Sequence, residues 1–353
     1  MQVDYIVVGF GLAGLAFVVE LEKANKSFIV IDNNPNRPSR VVGGMYNPII
    51  LKRFTPAWQA HEMWQVAHSF YKELEKKFSK EYLFPFEIRR ILQSVEEQNN
   101  WVVASDKAVM CDYMKPDIIQ ESIAGIKAPF GFGKLINVGR VAGEMLLEDY
   151  KSYLLSKNLL KIDTFDYDSL LINEKSISYK TIKAKQVVFS EGSYIHQNPF
   201  FNYLPMQVAK GELLVIEVPK LTIDFTIKSS VFMVPFGNNQ YVVGATYNWK
   251  DKSFDATDLA QQELEEKLKR FLKLPYRIVA TKVGIRPTVK DRRPLVGQHP
   301  KYTNLAVLNG LGTRGVIIAP AIAKTLFNAI ENKHEIPKEM SVERFQSLYT
   351  DNN

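Results

Sequence analysis

The stretch "DYIVVGFGLAGLAFVVELEKANKSFIVIDNN", from Asp4 to Asn34, decides the fold of this 353-residue chain. Its segment from Tyr5 to Val8 is apolar and β-branched, as in a strand that is buried on both faces. A G-x-G-x-x-G turn follows, then an apolar helix, and "SFIVI" reads as a second strand that ends at Asp32. This order predicts the strand–helix–strand unit of a dinucleotide-binding domain.

Each glycine of that turn has its own role. Gly9 allows the tight turn, Gly11 lets a pyrophosphate approach the backbone, and Gly14 lets the helix pack closely on the strand. The N–H groups of the first helical turn, which begins at Leu12 and Ala13, point at the phosphates. The motif by itself leaves the choice between NAD and FAD open.

The rest of the chain selects the cofactor. Asp32 can accept both hydroxyls of an adenosine ribose and would repel a ribose phosphate. "KAKQVVFSEGSY" predicts another buried strand, residues 187–189, that ends at Gly192. "NLAVLNGLGTRGVIIAPAIAKTLFNAI" predicts a strand (residues 305–308), a second glycine-rich turn and a helix; its key residues are Gly310, Gly312, Gly315 and Val316. Because a second helix N-terminus favours the negative charge of a reduced flavin ring, FAD is predicted rather than NAD.

The sequence resembles the FAD-dependent D-amino-acid oxidase superfamily, close to glycine oxidase, over nearly its whole length. The stretches that carry the resemblance are "GFGLAG", "GGMY", "AKGELLVIEV", "FMVPFGNNQYVVGAT", "GIRPTVKDRRPLVG" and "GLGTRGVIIAP". "GGMYNPIILKRFTPAW" and "GLGTRGVIIAP" are also similar to the flavin domain of the bifunctional bacterial enzyme that processes carboxymethylaminomethyl groups on tRNA uridine. The 353 residues leave no room for that enzyme's methyltransferase half, which argues against the full two-step activity.

The resemblance extends the predicted cofactor site beyond the two glycine-rich turns. The further residues that it implies are Ser39, Arg40, Gly43, Gly44, Met45, Gly192, Thr313, Arg314 and Val316. For Arg314 two roles stay open, contact with the flavin or with a substrate carboxylate.

The segment "VGIRPTVKDRRPLVGQHP", residues 283–300, predicts how a substrate is held. Proline favours extended backbone in the residue before it, so Arg286 is expected at a strand end, fixed in place. In the family the arginine of G-[ILF]-R-P binds the substrate carboxylate, and Arg286 matches it. A planar guanidinium suits this role because it makes two parallel charge-assisted hydrogen bonds. The alternative is a structural ion pair with Asp291.

The other residues around the predicted substrate site depart in part from the family pattern. Phe232 stands where glycine oxidase-like sequences place a tyrosine hydroxyl, which puts free glycine as the substrate in doubt. Tyr247 matches another pocket position of the family and is expected to supply a hydrogen bond from a different side. Arg292 and Arg293 are expected to be surface or structural residues, because "RRP" predicts a turn.

The predicted fold class is α/β (α+β overall), with a Rossmann-like FAD-binding domain and an inserted antiparallel-sheet substrate domain. Residues 1–80, 134–204 and 282–353 are assigned to the FAD-binding domain, and 81–133 and 205–281 to the substrate domain. "GELLVIEV" and the two halves of "SSVFMVPFGNNQYVVGATY" predict strands, the last two joined by a Gly-Asn-Asn turn. "PFEIRRILQS" and "WVVAS" also read as strands, and "VGRVAGEMLLEDYKSYLLSKN" reads as an amphipathic helix.

The composition of the chain indicates which partners and which cellular compartment are expected. The net charge is +7, but the basic residues are scattered without a block of nucleic-acid type, so a nucleic-acid partner is not expected. The single Cys111 excludes an intramolecular disulfide and the five histidines lack metal-ligand spacing, so a cytoplasmic protein without a metal is predicted. No segment reads as a signal peptide or a transmembrane helix.

Together these observations predict an FAD-dependent oxidoreductase that oxidises the C–N bond of an amino acid or N-substituted glycine. Hydride transfer to flavin N5 would give an imine, which water hydrolyses, and oxygen or another acceptor would reoxidise the flavin. The partners are then a small amine or amino acid and the electron acceptor. Two alternatives stay open: a flavin enzyme acting on the carboxymethylaminomethyl group of tRNA uridine, and a non-catalytic flavoprotein subunit.

Overall fold

The computed structural model describes residues 1–33, 44–173 and 176–350. Its strands are, in chain order, β1 (Tyr5–Val8), β2 (Phe28–Ile31), β3 (Met45–Tyr46), β4 (Ile49–Ile50), β5 (Thr55–Pro56), β6 (Leu83–Ile91), β7 (Met114–Ile119), β8 (Phe132–Val141), β9 (Leu160–Lys161), β10 (Leu170–Ile172), β11 (Ile177–Tyr179), β12 (Ile182–Ala184), β13 (Gln186–Phe189), β14 (Met206–Glu217), β15 (Thr226–Lys228), β16 (Phe232–Gly237), β17 (Gln240–Gly244), β18 (Arg277–Val289), β19 (Leu295–Gln298) and β20 (Leu305–Asn309).

Its α-helices are α1 (Leu12–Lys23), α2 (Ala60–Phe78), α3 (Val95–Ser105), α4 (Gly143–Ser156), α5 (Asp258–Lys269) and α6 (Gly315–Asn332). Short 3-10 turns cover Met110–Asp112, Tyr167–Ser169, Gly192–Gln197 and Val342–Leu348. Within the described ranges, no helix combines the length and the apolar character needed to cross a membrane.

The opening stretch forms the centre of a six-stranded sheet with the order β19-β20-β13-β1-β2-β9. β1 pairs in parallel with both β2 and β13, and β13 pairs in parallel with β20. All four residues of β1 are buried, which explains why this segment is apolar without alternation. Because parallel strands end at one edge of the sheet, the turns that follow β1, β13 and β20 meet there.

A nine-stranded, mostly antiparallel sheet forms the second large unit. Eight of its strands follow the order β18-β14-β17-β16-β15-β6-β8-β3, and β7 pairs with β8. β16 and β17 form the predicted hairpin, and its turn residues Gly237, Asn238 and Asn239 all have positive φ. The long pairing of β14 with β18 brings Arg286 opposite Ala209.

Two sequence predictions in this unit are wrong in detail. "WVVAS" lies in helix α3, since Ser94 caps that helix by accepting a hydrogen bond from the Glu97 amide at 3.1 Å. Trp101 of this segment is fully buried and its Nε1 donates to the Lys115 carbonyl at 2.7 Å. A short apolar run fits a buried helix as well as a strand, so periodicity alone did not distinguish them. The predicted amphipathic helix begins only at Gly143, because residues 138–141 belong to β8.

The predicted domain division stays a prediction. Two strands of the larger sheet cross its boundaries: β8 runs across 133/134 and β18 runs across 281/282. Both strands lead from the larger sheet to segments that line the cleft at the edge of the six-stranded sheet.

Candidate functional site

A cleft opens at the edge of the six-stranded sheet where its parallel strands end. Its volume is about 1660 Å³, counting the mouth that is open to solvent. It brings together many of the residues predicted from the sequence: Gly9, Gly11, Leu12, Ala13, Asp32, Gly44, Met45, Gly192, Arg286, Gly312, Thr313, Gly315 and Val316.

The first glycine-rich turn has the backbone that the motif requires. Gly9 has φ +90°, and a Cβ on it would lie 2.7 Å from the Ser190 carbonyl oxygen. A Cβ on Gly14 would lie 2.1 Å from the Gly9 carbonyl oxygen, so this glycine serves the packing of helix on turn and does not line the cleft. α1 begins at Leu12 with Gly11 at its N-cap and no side chain capping its amides. These amides are available to a phosphate in the cleft.

Asp32 closes the same end of the cleft. Only 5% of its surface is exposed, and its Oδ1 accepts a hydrogen bond from the Phe10 amide at 3.0 Å. The carboxylate is therefore held at the end of β2, where an adenosine ribose would meet it.

The second glycine-rich turn lines the same cleft beside the first, since a Cβ on Gly315 would lie 3.3 Å from the Leu12 side chain. Gly312 has φ +59°, and a Cβ on it would have no atom within 4 Å, so its backbone faces open space. α6 begins at Gly315 with Arg314 at the N-cap, and no side chain caps this helix either. Gly310 does not line the cleft: with φ +74°, it lets the turn pack against Val289, which a Cβ would meet at 2.7 Å.

The donor set of the cleft fits FAD. Two uncapped helix N-termini face it, and Asp32 ends the second strand. Ser190 also lines the cleft, and its buried hydroxyl has no hydrogen-bond partner among the residues that the structure describes. An unpartnered buried hydroxyl is costly unless a ligand satisfies it, so Ser190 is a further candidate contact that the sequence did not reveal.

Not every predicted residue is placed at the cleft. Ser39, Arg40 and Gly43 lie outside the described residues. Arg314 is half-buried beside the cleft, and its Nε donates to the Asn47 carbonyl at 3.4 Å. Burial lowers the pKa of this guanidinium, and the charge of Arg292 lowers it further.

Arg286 lies inside β18, three residues before its end, and not at the strand end that was expected. It is 7% exposed, and its Nη1 makes one long contact, 3.4 Å to the Thr246 carbonyl. Among the described residues no carboxylate lies within 4 Å of it, and Asp291 instead pairs with Arg344 at 3.0 Å. Burial lowers the pKa of Arg286, an effect that Tyr247 opposes.

The neighbours of Arg286 fix its direction. Its guanidinium lies where a side chain at position 211 would be: a Cβ on Gly211 would meet Nη2 at 2.2 Å. The Tyr247 ring lies 4.7 Å from the guanidinium carbon. Hydrogen bonds on either side hold Tyr247 there, from the Thr246 amide to the Glu212 carbonyl at 3.1 Å and from the Asn248 amide to the Lys210 carbonyl at 2.9 Å.

Tyr247 is 46% exposed and is not among the residues lining the cleft. It packs on Trp249 with ring centroids 5.3 Å apart, so these two rings form a partly exposed platform next to Arg286. Arg293 stacks over Trp58 at 4.5 Å, and Arg292 has φ +58°, in agreement with the predicted turn.

Glu191 is a charged residue of the cleft that the sequence did not predict. It follows the end of β13, and its carboxylate accepts hydrogen bonds from the Tyr167 hydroxyl and, at 2.7 Å, from Asn198 Nδ2. Burial raises the pKa of Glu191 to about 7, against the opposing effect of these two hydrogen bonds. The available signal was a charged residue two positions after a buried strand, in "SEGSY".

Residues 170–329 match the family model DAO, FAD dependent oxidoreductase. This match spans the third strand of the nucleotide-binding sheet, most of the larger sheet and the second glycine-rich turn. It confirms the predicted resemblance, FAD as the cofactor and an FAD-dependent oxidoreductase as the class of enzyme.

Two curated relatives match most of the chain. The tRNA 5-methylaminomethyl-2-thiouridine biosynthesis bifunctional protein MnmC of Idiomarina loihiensis is 22% identical over 342 residues, which is 92% of this chain and 55% of that protein. Glycine oxidase of Bacillus subtilis is 26% identical over 241 residues, 63% of this chain and 62% of that protein. The chain thus spans less than two thirds of the length of either relative.

Among solved structures, glycine oxidase from Geobacillus kaustophilus superimposes with a TM-score of 0.78 at 18% identity. The superposition covers 95% of this chain and 96% of the other. This likeness shows that the two chains share one fold.

Proposed function

We propose that this FAD-dependent oxidoreductase oxidises the C–N bond of an amino acid or an N-substituted glycine to an imine, which water then hydrolyses. The observation that carries the proposal is Arg286, a buried guanidinium at the flavin cleft with no carboxylate partner among the described residues. A buried charge without a partner costs several kcal/mol, so such a side chain is best explained by an anionic ligand.

A substrate carboxylate satisfies this requirement. The guanidinium presents parallel N–H donors to the two carboxylate oxygens, and each charge-assisted hydrogen bond contributes about 1.5–3 kcal/mol. Gly211 leaves room for the fork, and the Tyr247 ring covers one side of it. Bidentate binding would fix the orientation of the carbon next to the carboxylate, which is where the C–H bond breaks.

FAD, when bound, supplies the acceptor for the hydride that leaves this carbon. The chain's own contribution is to orient and desolvate the substrate, since loss of hydride from a neutral amine needs no strong base. Phe232 provides no hydroxyl for the carboxylate, so Arg286 would carry more of the carboxylate binding than in a site with a tyrosine there. Tyr247 is proposed as the residue that shields the ion pair from water.

The relatives support the reaction class and differ in substrate. Glycine oxidase carries an amino acid in its name, and MnmC is named for tRNA modification. A carboxymethylaminomethyl group also has a carboxylate next to a C–N bond, so the same clamp would suit it. The second candidate function is therefore oxidation of this group on tRNA, supported by the match to MnmC over 92% of the chain.

An anaerobic substrate screen tests the proposal. Purified holoenzyme is mixed with glycine, N-substituted glycines and larger amino acids, and bleaching of the flavin absorbance is followed. We expect bleaching by at least one carboxylate-bearing amine and none by the matching amine without the carboxylate. Failure of every amine would favour a flavoprotein without this activity.

A parallel arm separates the tRNA candidate. Modified tRNA carrying the carboxymethylaminomethyl group is added under the same conditions at two salt concentrations. Bleaching by this tRNA alone, with binding that weakens steeply at the higher salt, would replace the small-molecule proposal by the tRNA one. Admission of air after bleaching then shows whether oxygen accepts the electrons.

A further inference from the structure

A second pocket lies in the larger sheet, apart from the flavin cleft. Its volume is about 1290 Å³, counting its mouth. Five basic side chains line it, and none of its described lining residues is acidic; the five are Lys52, Arg90, Lys127, Lys228 and Arg270.

Their positive charge is largely uncompensated. Arg90 has one carboxylate partner, Glu97 at 2.7 Å, and its Nη1 donates to the Ser229 carbonyl at 3.0 Å. The Nε of Arg90 is nevertheless buried, and it has no hydrogen-bond partner in the described part of the chain. Around the other four basic side chains, no carboxylate of the described ranges lies within 4 Å. Four cations without a carboxylate of the described residues within 4 Å therefore line one concave surface, together with Arg90.

Lys228 is the most constrained of these cations. It is half-buried, its Nζ donates to the Ser229 carbonyl at 2.6 Å, and it lies 4.7 Å from the centre of the Phe232 ring. Burial, together with the charges of Arg90 and Lys267, lowers the pKa of Lys228 to about 8. An anion in the pocket would offset this repulsion.

The register of the sheet places this pocket beside the substrate site. Lys228 pairs with Phe232 on one side and with Arg90 on the other, so these three side chains share a face. Phe232 in turn pairs with Gly244, and Gly244 pairs with Leu213.

Leu213 lies two residues after Gly211 on β14 and therefore on the same face, the one that meets the guanidinium of Arg286. The pocket and the proposed carboxylate clamp thus lie on one face of the sheet, with Phe232 between them.

We propose that this pocket binds a small anion that carries at least two phosphate groups, such as pyrophosphate or a nucleoside diphosphate. Phosphate oxygens match the guanidinium of Arg270 and the ammonium groups of Lys127 and Lys228, which line the pocket. Apolar side chains, Leu51 and Phe271 among them, line the same pocket and offer a surface to an organic group. A bound ligand that shifts Lys228 would also shift Phe232, which contacts Lys228 and lies next to the substrate site.

Equilibrium dialysis of the FAD-loaded protein against radiolabelled pyrophosphate tests this site. Uridine diphosphate is the second probe, because its base does not mimic the adenosine end of FAD. We expect micromolar binding of one molecule per chain, and at least tenfold weaker binding for the exposed pair Lys127→Gln/Arg270→Gln. Lys228→Gln should weaken binding by a similar factor. Tighter binding of uridine diphosphate would identify an organic diphosphate as the ligand, and equal binding would identify the phosphate groups alone.

Lys338→Gln is the matched control, since it removes one exposed positive charge that does not line the pocket. Flavin content, measured for every variant, shows that each one is folded. Absence of binding to the wild type overturns the proposal, and so does an equal loss of affinity in Lys338→Gln. Because dialysis requires no turnover, its outcome is independent of whether the chain oxidises amines.

Discussion

Lys210 and Arg286 are two buried cations on neighbouring strands, yet their surroundings are opposite. In the β14–β18 pairing Ala209 lies opposite Arg286 and Lys210 lies opposite Ile285, so the two side chains are one register position apart and on different faces. Lys210 is fully buried and bonds to the Asp251 carboxylate, with Glu212 at 3.6 Å. Arg286 is 7% exposed and has no carboxylate partner in the described chain.

This difference distinguishes a cation that stabilises the fold from a cation that we propose binds a ligand. A buried cation that the protein neutralises itself is part of the fold, because removing it leaves buried carboxylates unpaired. We propose that a buried cation without a carboxylate partner among the described residues is held for a ligand, so that the fold tolerates its loss. The loop that holds Tyr247 connects the two, since it bonds to the backbone of Lys210 and carries the ring that covers Arg286.

The largest effect is expected at the structural cation. Lys210→Met should lower the free energy of unfolding by about 3–5 kcal/mol, because Asp251 and Glu212 lose their common cation. Denaturant unfolding followed by fluorescence measures this change. Flavin content and activity should fall together with stability.

Lys220→Met is the control for Lys210→Met, since Lys220 is exposed and its loss should change stability by less than about 0.5 kcal/mol. A stable, yellow Lys210→Met protein that had lost only its activity would contradict the assignment of Lys210 to the fold.

Arg286→Ala should show the reverse pattern. Flavin content and stability should stay near wild type, while kcat/KM for a carboxylate-bearing amine falls roughly a hundredfold, the equivalent of ~3 kcal/mol. Steady-state kinetics with and without a substrate carboxylate measure this selectivity. Arg286→Lys should recover only part of the loss, because an ammonium lacks the planar fork. Loss of flavin in Arg286→Ala, with no selective effect on carboxylate substrates, would make Arg286 structural as well.

The Arg286 side of this contrast could be predicted from the sequence. The motif around Arg286 pointed to a carboxylate clamp, and the glycine-rich turns together with Asp32 pointed to the cleft that it faces. These signals are local, because a turn, a strand end or an arginine before a proline is encoded by adjacent residues. The structure places the two turns and Asp32 around one cleft.

The surroundings of Lys210 and the space around Arg286 depend on contacts between residues that are distant in sequence. Asp251, whose carboxylate bonds to Lys210, lies some forty residues away, and the room for the Arg286 guanidinium comes from Gly211 on a different strand. The strand prediction for "WVVAS" is wrong for a similar reason, since Trp101 is buried against Gly133 of β8. No pattern within a single segment records which segments will meet, so such residues are found only once the fold is known.

Glu191 extends the comparison to a half-buried carboxyl whose hydrogen-bond partners in the described chain, Tyr167 and Asn198, are neutral. Its pKa of about 7 in the folded chain lies above the ordinary value of 4.5. The protonated carboxyl therefore contributes stability that is present below about pH 4.5 and is lost as the pH rises through 7. Glu191→Gln should remove this titration and lessen the fall in stability between pH 5 and pH 8 by about 2 kcal/mol.

Thermal unfolding of the FAD-loaded protein across this pH range measures the effect of Glu191→Gln. Glu335→Gln, at an exposed glutamate, is the control and should follow the wild-type curve. If Glu191→Gln also follows that curve, the carboxyl is charged in the folded protein over the whole range.

The smallest effect is expected from a change that leaves both cations in place. Gly211→Ala puts a methyl group where Arg286 Nη1 and Nη2 lie, at 2.3 and 2.2 Å, so the guanidinium must move. We expect kcat/KM for a carboxylate substrate to fall about tenfold, or ~1.4 kcal/mol, with flavin content unchanged. The double variant Gly211→Ala/Arg286→Ala completes a mutant cycle. If displacement of the guanidinium is the cause, Gly211→Ala should cost almost nothing once Arg286 is alanine. A tenfold loss that persists in that background would mean that the methyl group disturbs β14 itself, and the position of Arg286 would no longer depend on the glycine beside it.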